Sequence, residues 1–503
     1  MNIIERYEII SEQIPVQVKI IKVEKESVMK YLIEFPEVEK GTEAVLTKIQ
    51  EEMIKILRFE QKEITDIRAS EKIKIKYRET ILSLIKKYFP SIEESRQILL
   101  MGYLMHKTIG LGDIEFLIND PFLEEVVIHG EKYPTWVYHR KHGWLKTNMF
   151  MSEEAVYNYS ASIARQVGKQ ISVLNPLLDA HITTGDRVNA ILYPVSSMGN
   201  TITIRKFRKN PWTIPELIDN NTISSDIIAF LWLMIQYEMS IIISGGTASG
   251  KSTFLNSLMC FLQPNHRVIS IEDTRELYLP SYVYWTPLVT RTPNVEGKGE
   301  VSMLDLLINS LRMRPDRIIV GEIRRKMEAE TLFEAIHTGH AVYATLHADT
   351  AIQTINRLIN PPIELPKSSV EALGLIVTMI RDRRKGIRRS FEVAEVMPIQ
   401  KSEGEIEIKA NVLWRWKPKS DTQSKQAESY RVINTIKMHT GMNELEIKED
   451  LANKKKIIDW MVKEKIFDIE EVGRITSSYY EEQKKILGFI DAGFDKKKVM
   501  EEI

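Results

Sequence analysis

Ile241-Ile242-Ile243-Ser244-Gly245-Gly246-Thr247-Ala248-Ser249-Gly250-Lys251-Ser252-Thr253 is the stretch on which the fold turns. Its β-branched run predicts a buried strand ending at Ser244. Gly245 to Ser252 then matches G-x4-G-K-[ST], with Gly246, Thr247, Ala248, Ser249 and Gly250 between the first glycine and the lysine. Glycines in such a loop let backbone N–H groups turn inward and cradle phosphate oxygens. Lys251 reaches the β- and γ-phosphates, and the Ser252 hydroxyl is placed to ligate Mg²⁺. Phe254, Leu255, Leu258 and Met259 give the residues that follow, beginning with Thr253, the apolar face of a helix. Strand, glycine loop and helix in that order predict an α/β fold with a mostly parallel sheet and a site for ATP with Mg²⁺ at residues 245–253.

Working outward, Val268-Ile269-Ser270-Ile271-Glu272-Asp273-Thr274-Arg275-Glu276 is an apolar strand that ends in carboxylates. Ligands of open α/β sheets sit beyond the carboxyl ends of the strands, which puts Glu272 near the phosphates as a candidate general base. The competing reading is a solvated helix start with Asp273 as its cap. Arg317-Ile318-Ile319-Val320-Gly321-Glu322 is a third strand with an acidic end. Gly321 stands where an Asp commonly precedes the Glu, so Glu322 is the candidate for the Mg²⁺ shell, through water. Ala341 to Leu346 is bracketed by His340 and His347. Two histidines at opposite ends of one strand do not converge as zinc ligands do, whereas His347 at the strand end is positioned to sense a γ-phosphate. Arginines are frequent, among them Arg205, Arg208, Arg312, Arg314 and Arg324, and surface ion pairing competes with transition-state stabilisation as the reading of each.

The chain has 503 residues, too many for one core. Lys plus Arg and Asp plus Glu both number 69, and this formal neutrality argues against a protein built mainly to grip nucleic acid. One cysteine, Cys260, excludes a disulfide framework, points to a reducing compartment, and reads as a small buried hydrophobe. Ile227 to Ile243 is the greasiest stretch, but Gln236, Tyr237, Glu238 and Ser240 interrupt it, so it reads as a helix running into a strand. Composition and periodicity divide the chain into an α/β accessory domain (1–95), a second N-terminal domain (96–210), a polar linker (211–225), the P-loop core (226–416) and a helical C-terminal region (417–503). In the first block Val16, Val18 and Ile20 alternate as in a strand. The polar run Lys417 to Gln426 is read as the separator before the tail.

In this fixed order the motifs resemble the type II/type IV secretion ATPase superfamily in its archaeal branch, from about Gly110 to Trp416. Tyr138-His139-Arg140-Lys141-His142-Gly143-Trp144-Leu145, Pro176-Leu177-Leu178-Asp179-Ala180 and Thr203-Ile204-Arg205-Lys206-Phe207-Arg208 look like its second N-terminal domain. Gly245 to Lys251 looks like its Walker A, Ile271 to Leu277 its aspartate box, Leu311 to Asp316 with Gly321-Glu322 its atypical Walker B, and Gly339-His340 to Leu346-His347 its histidine box. The resemblance implies a RecA-like ATPase core, a PAS-like second N-terminal domain that closes over ATP, and a homohexamer. It also implies trans-acting arginines, carried over to Arg187, Arg205 and Arg208. The partner it implies is a polytopic membrane platform protein met from the cytoplasmic side, with peripheral membrane association and no nucleic acid. Such a protein powers assembly of pilus or archaellum filaments, or related export. A nucleic-acid motor and a non-hydrolysing nucleotide switch are the competing functions.

Overall fold

A computed structural model of the chain describes residues 2–24, 26–36, 38–56, 69–108, 110–182, 185–206, 210–291, 293, 297–401 and 406–503. The chain forms two compact units, Met1–Arg208 and Lys209–Ile503.

The first unit is built on β1 (Asn2–Ser11), β2 (Ile14–Lys22), β3 (Lys30–Glu34), β4 (Leu123–His129), β5 (Trp136–His139), β6 (Gly143–Thr147), β7 (Leu177–His181), β8 (Arg187–Ile191) and β9 (Thr201–Arg205). Among the described residues these form one nine-stranded sheet in the order β1-β2-β3-β6-β5-β4-β9-β8-β7. Alternation decides which face is covered: Val16, Val18 and Ile20 are fully buried while Gln17 and Lys19 point outward. The expected boundary at residue 95 is corrected here. Lys30 and Tyr31 of β3 pair in parallel with Lys146 and Thr147 of β6, and Val16 and Val18 share a core with Val126, Val188 and Ile204. The helices Lys40–Ile56, Ala69–Tyr88 and Glu94–Thr108 close a smaller core around Ile49, Ile81 and Leu104. Gly102 is needed for that docking, because a Cβ there would lie 2.2 Å from the Glu12 carbonyl oxygen.

The second unit contains β10 (Ile241–Gly245), β11 (Arg267–Glu272), β12 (Tyr284–Val289), β13 (Arg317–Val320), β14 (Ala341–Leu346), β15 (Leu375–Asp382), β16 (Ile387–Gln400), β17 (Ile406–Lys417) and β18 (Thr422–Lys425). Their order is β12-β11-β13-β14-β10-β15-β16-β17-β18. Strands from β12 to β15 run parallel, and those from β15 to β18 are antiparallel. Helices cover both faces, so β10 is buried throughout: Ile241 and Ile243 join one core and Ile242 the other.

Two further expectations are corrected. The stretch 211–225 holds the helix Ile214–Asp219, with Pro215 in its first turn and with Ile214 and Leu217 buried in this unit's core. Lys417 to Gln426 is a hairpin that extends the sheet, with Lys417 opposite Thr422 and Trp414 opposite Lys425. The C-terminal helices share the core of the strands. Trp232 stacks on Phe261 at 4.6 Å and donates its indole N–H to the Tyr480 hydroxyl at 2.8 Å, while Ile457, Ile458 and Met461 are fully buried. Leu445, on the helix Glu444–Lys463, is exposed. Cys260 is buried as expected, and burial pushes its thiol up to about 12. Among the described residues no helix is long and apolar enough to cross a membrane.

Candidate functional site

β10 delivers the chain into a loop at Gly245, and the helix Lys251–Leu258 starts at its far end. Two glycines and one alanine make the turn, with φ of 150° at Gly245, 59° at Ala248 and 94° at Gly250. A Cβ at Gly245 would stand 2.4 Å from the Met379 carbonyl oxygen of β15, so only glycine fits. Lys251 leans over the loop and donates to the carbonyls of Gly245 at 2.9 Å and Gly246 at 3.0 Å. Burial lowers the pKa of its ammonium, against the charges of Glu322, Glu276 and Asp349. Ser252 and Thr253 follow in the first helical turn.

Glu272 is the last residue of β11 and only 2% exposed. Its Oε1 accepts from the backbone N–H groups of Glu276 at 2.8 Å and Leu277 at 3.1 Å. Its Oε2 is buried with no hydrogen-bond partner. Desolvation therefore dominates and raises the carboxyl to about 7, the range a base needs near neutral pH. No helix follows Glu272, so Asp273 is not a helix cap; the chain runs irregularly to β12. Gly321 packs beside Glu272, the Cβ position of the glycine being 3.5 Å from the Cα of Glu272. An Asp at 321 would add a second carboxylate against the first. Glu322 accepts from Arg324 Nε at 2.8 Å, and the same guanidinium reaches Asp273 at 2.5 Å, tying two acidic strand ends together. His347 Nε2 is hydrogen-bonded to the Thr247 hydroxyl at 3.1 Å, which links the end of β14 to the P-loop. Burial, then the Lys251 charge, lower its pKa. His340, at the opposite end of β14, is instead bonded to Thr338 and Ala335.

The model of the Type II/IV secretion system protein family matches residues 168–445, more than half the chain. This chain belongs to the type II/IV secretion ATPase superfamily. A protein of Methanocaldococcus jannaschii, itself uncharacterised, is 35% identical over 393 residues, covering 77% of this chain and 70% of its own length. A putative conjugal transfer protein of Mycobacterium tuberculosis is 30% identical over 284 residues, 51% of this chain and 76% of its own. Among solved structures, the VirB11 ATPase of the Brucella suis type IV secretion system is 24% identical and covers 56% of this chain and 92% of its own, with a TM-score of 0.29.

In this secretion ATPase the predicted residues fall into two groups. Lys251, Ser252, Glu272, Glu322 and His347 gather at one edge of the second unit's sheet. Arg187 and Arg205 stand in the first unit. Arg187 forks onto Asp179, Nε to Oδ1 at 3.1 Å and Nη2 to Oδ2 at 2.8 Å. Arg205 ends β9 opposite Glu125 and Arg187. Arg208 lies outside the described residues. Arg312 is exposed, and Arg314 takes a left-handed conformation at the end of a short 3-10 turn.

Three residues at the site were missed in the sequence reading. Asp349 Oδ1 lies 3.2 Å from where a Cβ on Gly246 would be. Arg357 donates to the His347 carbonyl at 2.8 Å. Arg388 Nε donates to the Ala248 carbonyl at 3.1 Å, across 140 residues of chain. The recurrence of Arg at 381, 383, 384, 388 and 389 was the one visible hint, and it reads equally as an exposed basic turn.

Proposed function

We propose that the chain is an ATP-hydrolysing mechanochemical motor that works as a homohexamer at the cytoplasmic face of a membrane. The observation that carries this reading is Glu272, a buried carboxylate with one unpartnered oxygen, raised to about 7, on the same sheet edge as the P-loop. An oxygen that is both unsatisfied and basic is suited to orient a water and take its proton as the γ-phosphate is attacked. Lys251 neutralises charge on the β- and γ-phosphates, and the residues from Gly245 to Thr253 hold the polyphosphate. His347 reports on the γ-phosphate to Thr247.

The donor set also fits Mg²⁺, which in phosphate sites takes one or two carboxylates and otherwise relies on the nucleotide. Glu322 lies near enough to Lys251 for its charge to act on the ammonium. Ser252 would hold the ion directly and Glu322 through water. The ion's contribution is to offset phosphate charge.

Arg187, Arg205 and Arg208 are proposed to complete a site on another copy of the chain. The work driven is assembly or secretion of a type IV pilus-like filament against a polytopic membrane platform protein, supported by the archaeal form of the motifs and the match to the Type II/IV secretion system family. A conjugative DNA motor is the second reading, favoured by the name of the mycobacterial relative. Phosphate release by the purified chain, measured across protein concentration, tests the first. Specific activity should rise as rings form. An activity that is flat with concentration sinks the ring, and one that rises severalfold with DNA favours the second reading.

A further inference from the structure

Arg388 belongs to none of the motifs, yet it grips the most strained point of the loop. Ala248 has a φ of 59°, a left-handed conformation that a residue with a Cβ adopts at a cost. Gly245 and Gly250 flank it and adopt positive φ freely; within the loop the peptide after Ala248 is tied through its N–H, which Ser249 donates to the Gly246 carbonyl at 3.3 Å, and the Ala248 carbonyl needs a tie of its own. The tie comes from outside. Arg388 Nε donates to the Ala248 carbonyl at 3.1 Å, and its Cδ lies 3.4 Å from the Cβ position of Gly250. The strand that carries it is anchored beside it. Arg389, 8% exposed, forks onto Asp421 with both bonds at 2.7 Å, and also donates to the carbonyls of Asn220 at 3.2 Å and Arg388 at 2.9 Å. Across the ladder Arg388 faces Arg381 on β15, the strand whose Met379 carbonyl closes on Gly245.

We propose that Arg388 is a positioning residue of the nucleotide site, holding the Ala248 peptide in its left-handed conformation so that the loop is in phosphate-binding form before nucleotide arrives. The inference rests on reading residues 245–253 as that site. A clasp of this kind acts on ground state and transition state alike, so its loss raises KM and leaves kcat nearly unchanged.

The test is equilibrium binding of a fluorescent ATP analogue to the full chain, with steady-state hydrolysis alongside. Arg388→Ala should weaken binding roughly tenfold, the effect of one hydrogen bond from a charged donor, with kcat at saturation kept within about twofold. The decisive arm is the same substitution in an Ala248→Gly background, where left-handed backbone costs little. There the further loss should shrink to below about threefold. A tenfold loss in both backgrounds means Arg388 acts on the nucleotide directly and overturns the proposal, as does unchanged affinity in Arg388→Ala. If Arg388→Ala lowers the melting temperature, Arg388→Gln replaces it, because its amide can donate to the same carbonyl. Recovered affinity is then expected, and an undiminished tenfold loss counts against the clasp. Wild-type binding by Lys251→Ala would instead remove the nucleotide-site reading itself.

Discussion

The two units carry sheets of equal width, nine strands each among the described residues, but their strands run differently. In the first sheet every pairing is antiparallel except β3 with β6, so successive strand ends point to opposite edges. Two carboxylates there find their partners within the same unit. Buried Asp120 accepts from the Tyr7 hydroxyl at 2.7 Å, the Tyr31 hydroxyl at 2.6 Å and the Phe122 N–H at 2.7 Å, and Arg187 is taken up by Asp179. In the second sheet β10, β11, β13 and β14 are parallel, and all four end at one edge. Gly245, Glu272, Glu322 and His347 lie at or just beyond those ends, so residues spread over a hundred positions arrive at one place. Strand direction, more than residue content, brings these side chains to one edge in the second sheet and scatters strand ends in the first.

That contrast breaks most sharply at Lys251. Lys251→Ala should leave no phosphate release above background, a loss on the order of 10³-fold or more, because an ammonium aimed at developing charge has no substitute at that edge. Wild-type turnover would remove the P-loop from the mechanism. Arg205→Ala asks whether the antiparallel sheet contributes to the chemistry at all. Loss of turnover by about 10³-fold with nucleotide still bound is the expectation for an arginine supplied to another copy. Mixing dead Arg205→Ala subunits into wild-type protein should then depress activity more than dilution does, and a linear response would confine the first sheet to support.

Glu272→Gln keeps the shape of the side chain without its basicity, and should slow turnover by about 10²- to 10³-fold while ATP remains bound. In the unaltered protein the base must be ionised. Its pKa of about 7 means that the rate falls as pH drops through 7, by about tenfold between pH 8 and pH 6. A flat pH profile would place the proton elsewhere. The smallest effect on turnover is expected from Ile128→Ala, which empties a fully buried position of β4. It should cost the first unit about 2–5 kcal/mol of stability, seen as an earlier thermal transition, and leave nucleotide affinity within about twofold. An affinity change beyond that would show the two sheets to be energetically coupled.

The strand, loop and helix from Ile241 to Leu258 were legible in the sequence because their parts are contiguous. An apolar run, glycines at fixed spacing and a 3.6-residue apolar stripe are local patterns, and each reports a local conformation. Glu272 and Glu322 were legible for a related reason, since each closes an apolar strand and parallel strands put such ends on one edge. Pairing partners were not legible. Nothing local in Lys30 or Tyr31 announces β6, more than a hundred residues away, so one sheet was read as two domains. The hairpin at 417–426 is polar because it lies at a sheet edge, and edge strands share their composition with linkers. The acidity of Glu272 and the grip of Arg388 on Ala248 were likewise decided by the tertiary structure. A carboxylate's pKa depends on how much water the surrounding chain excludes, and a clasp across 140 residues depends on which strands lie side by side. Residue types and short-range spacing determined the chemistry this chain carries, while desolvation and long-range pairing, which exist only once the chain is packed, decided how that chemistry is tuned and held.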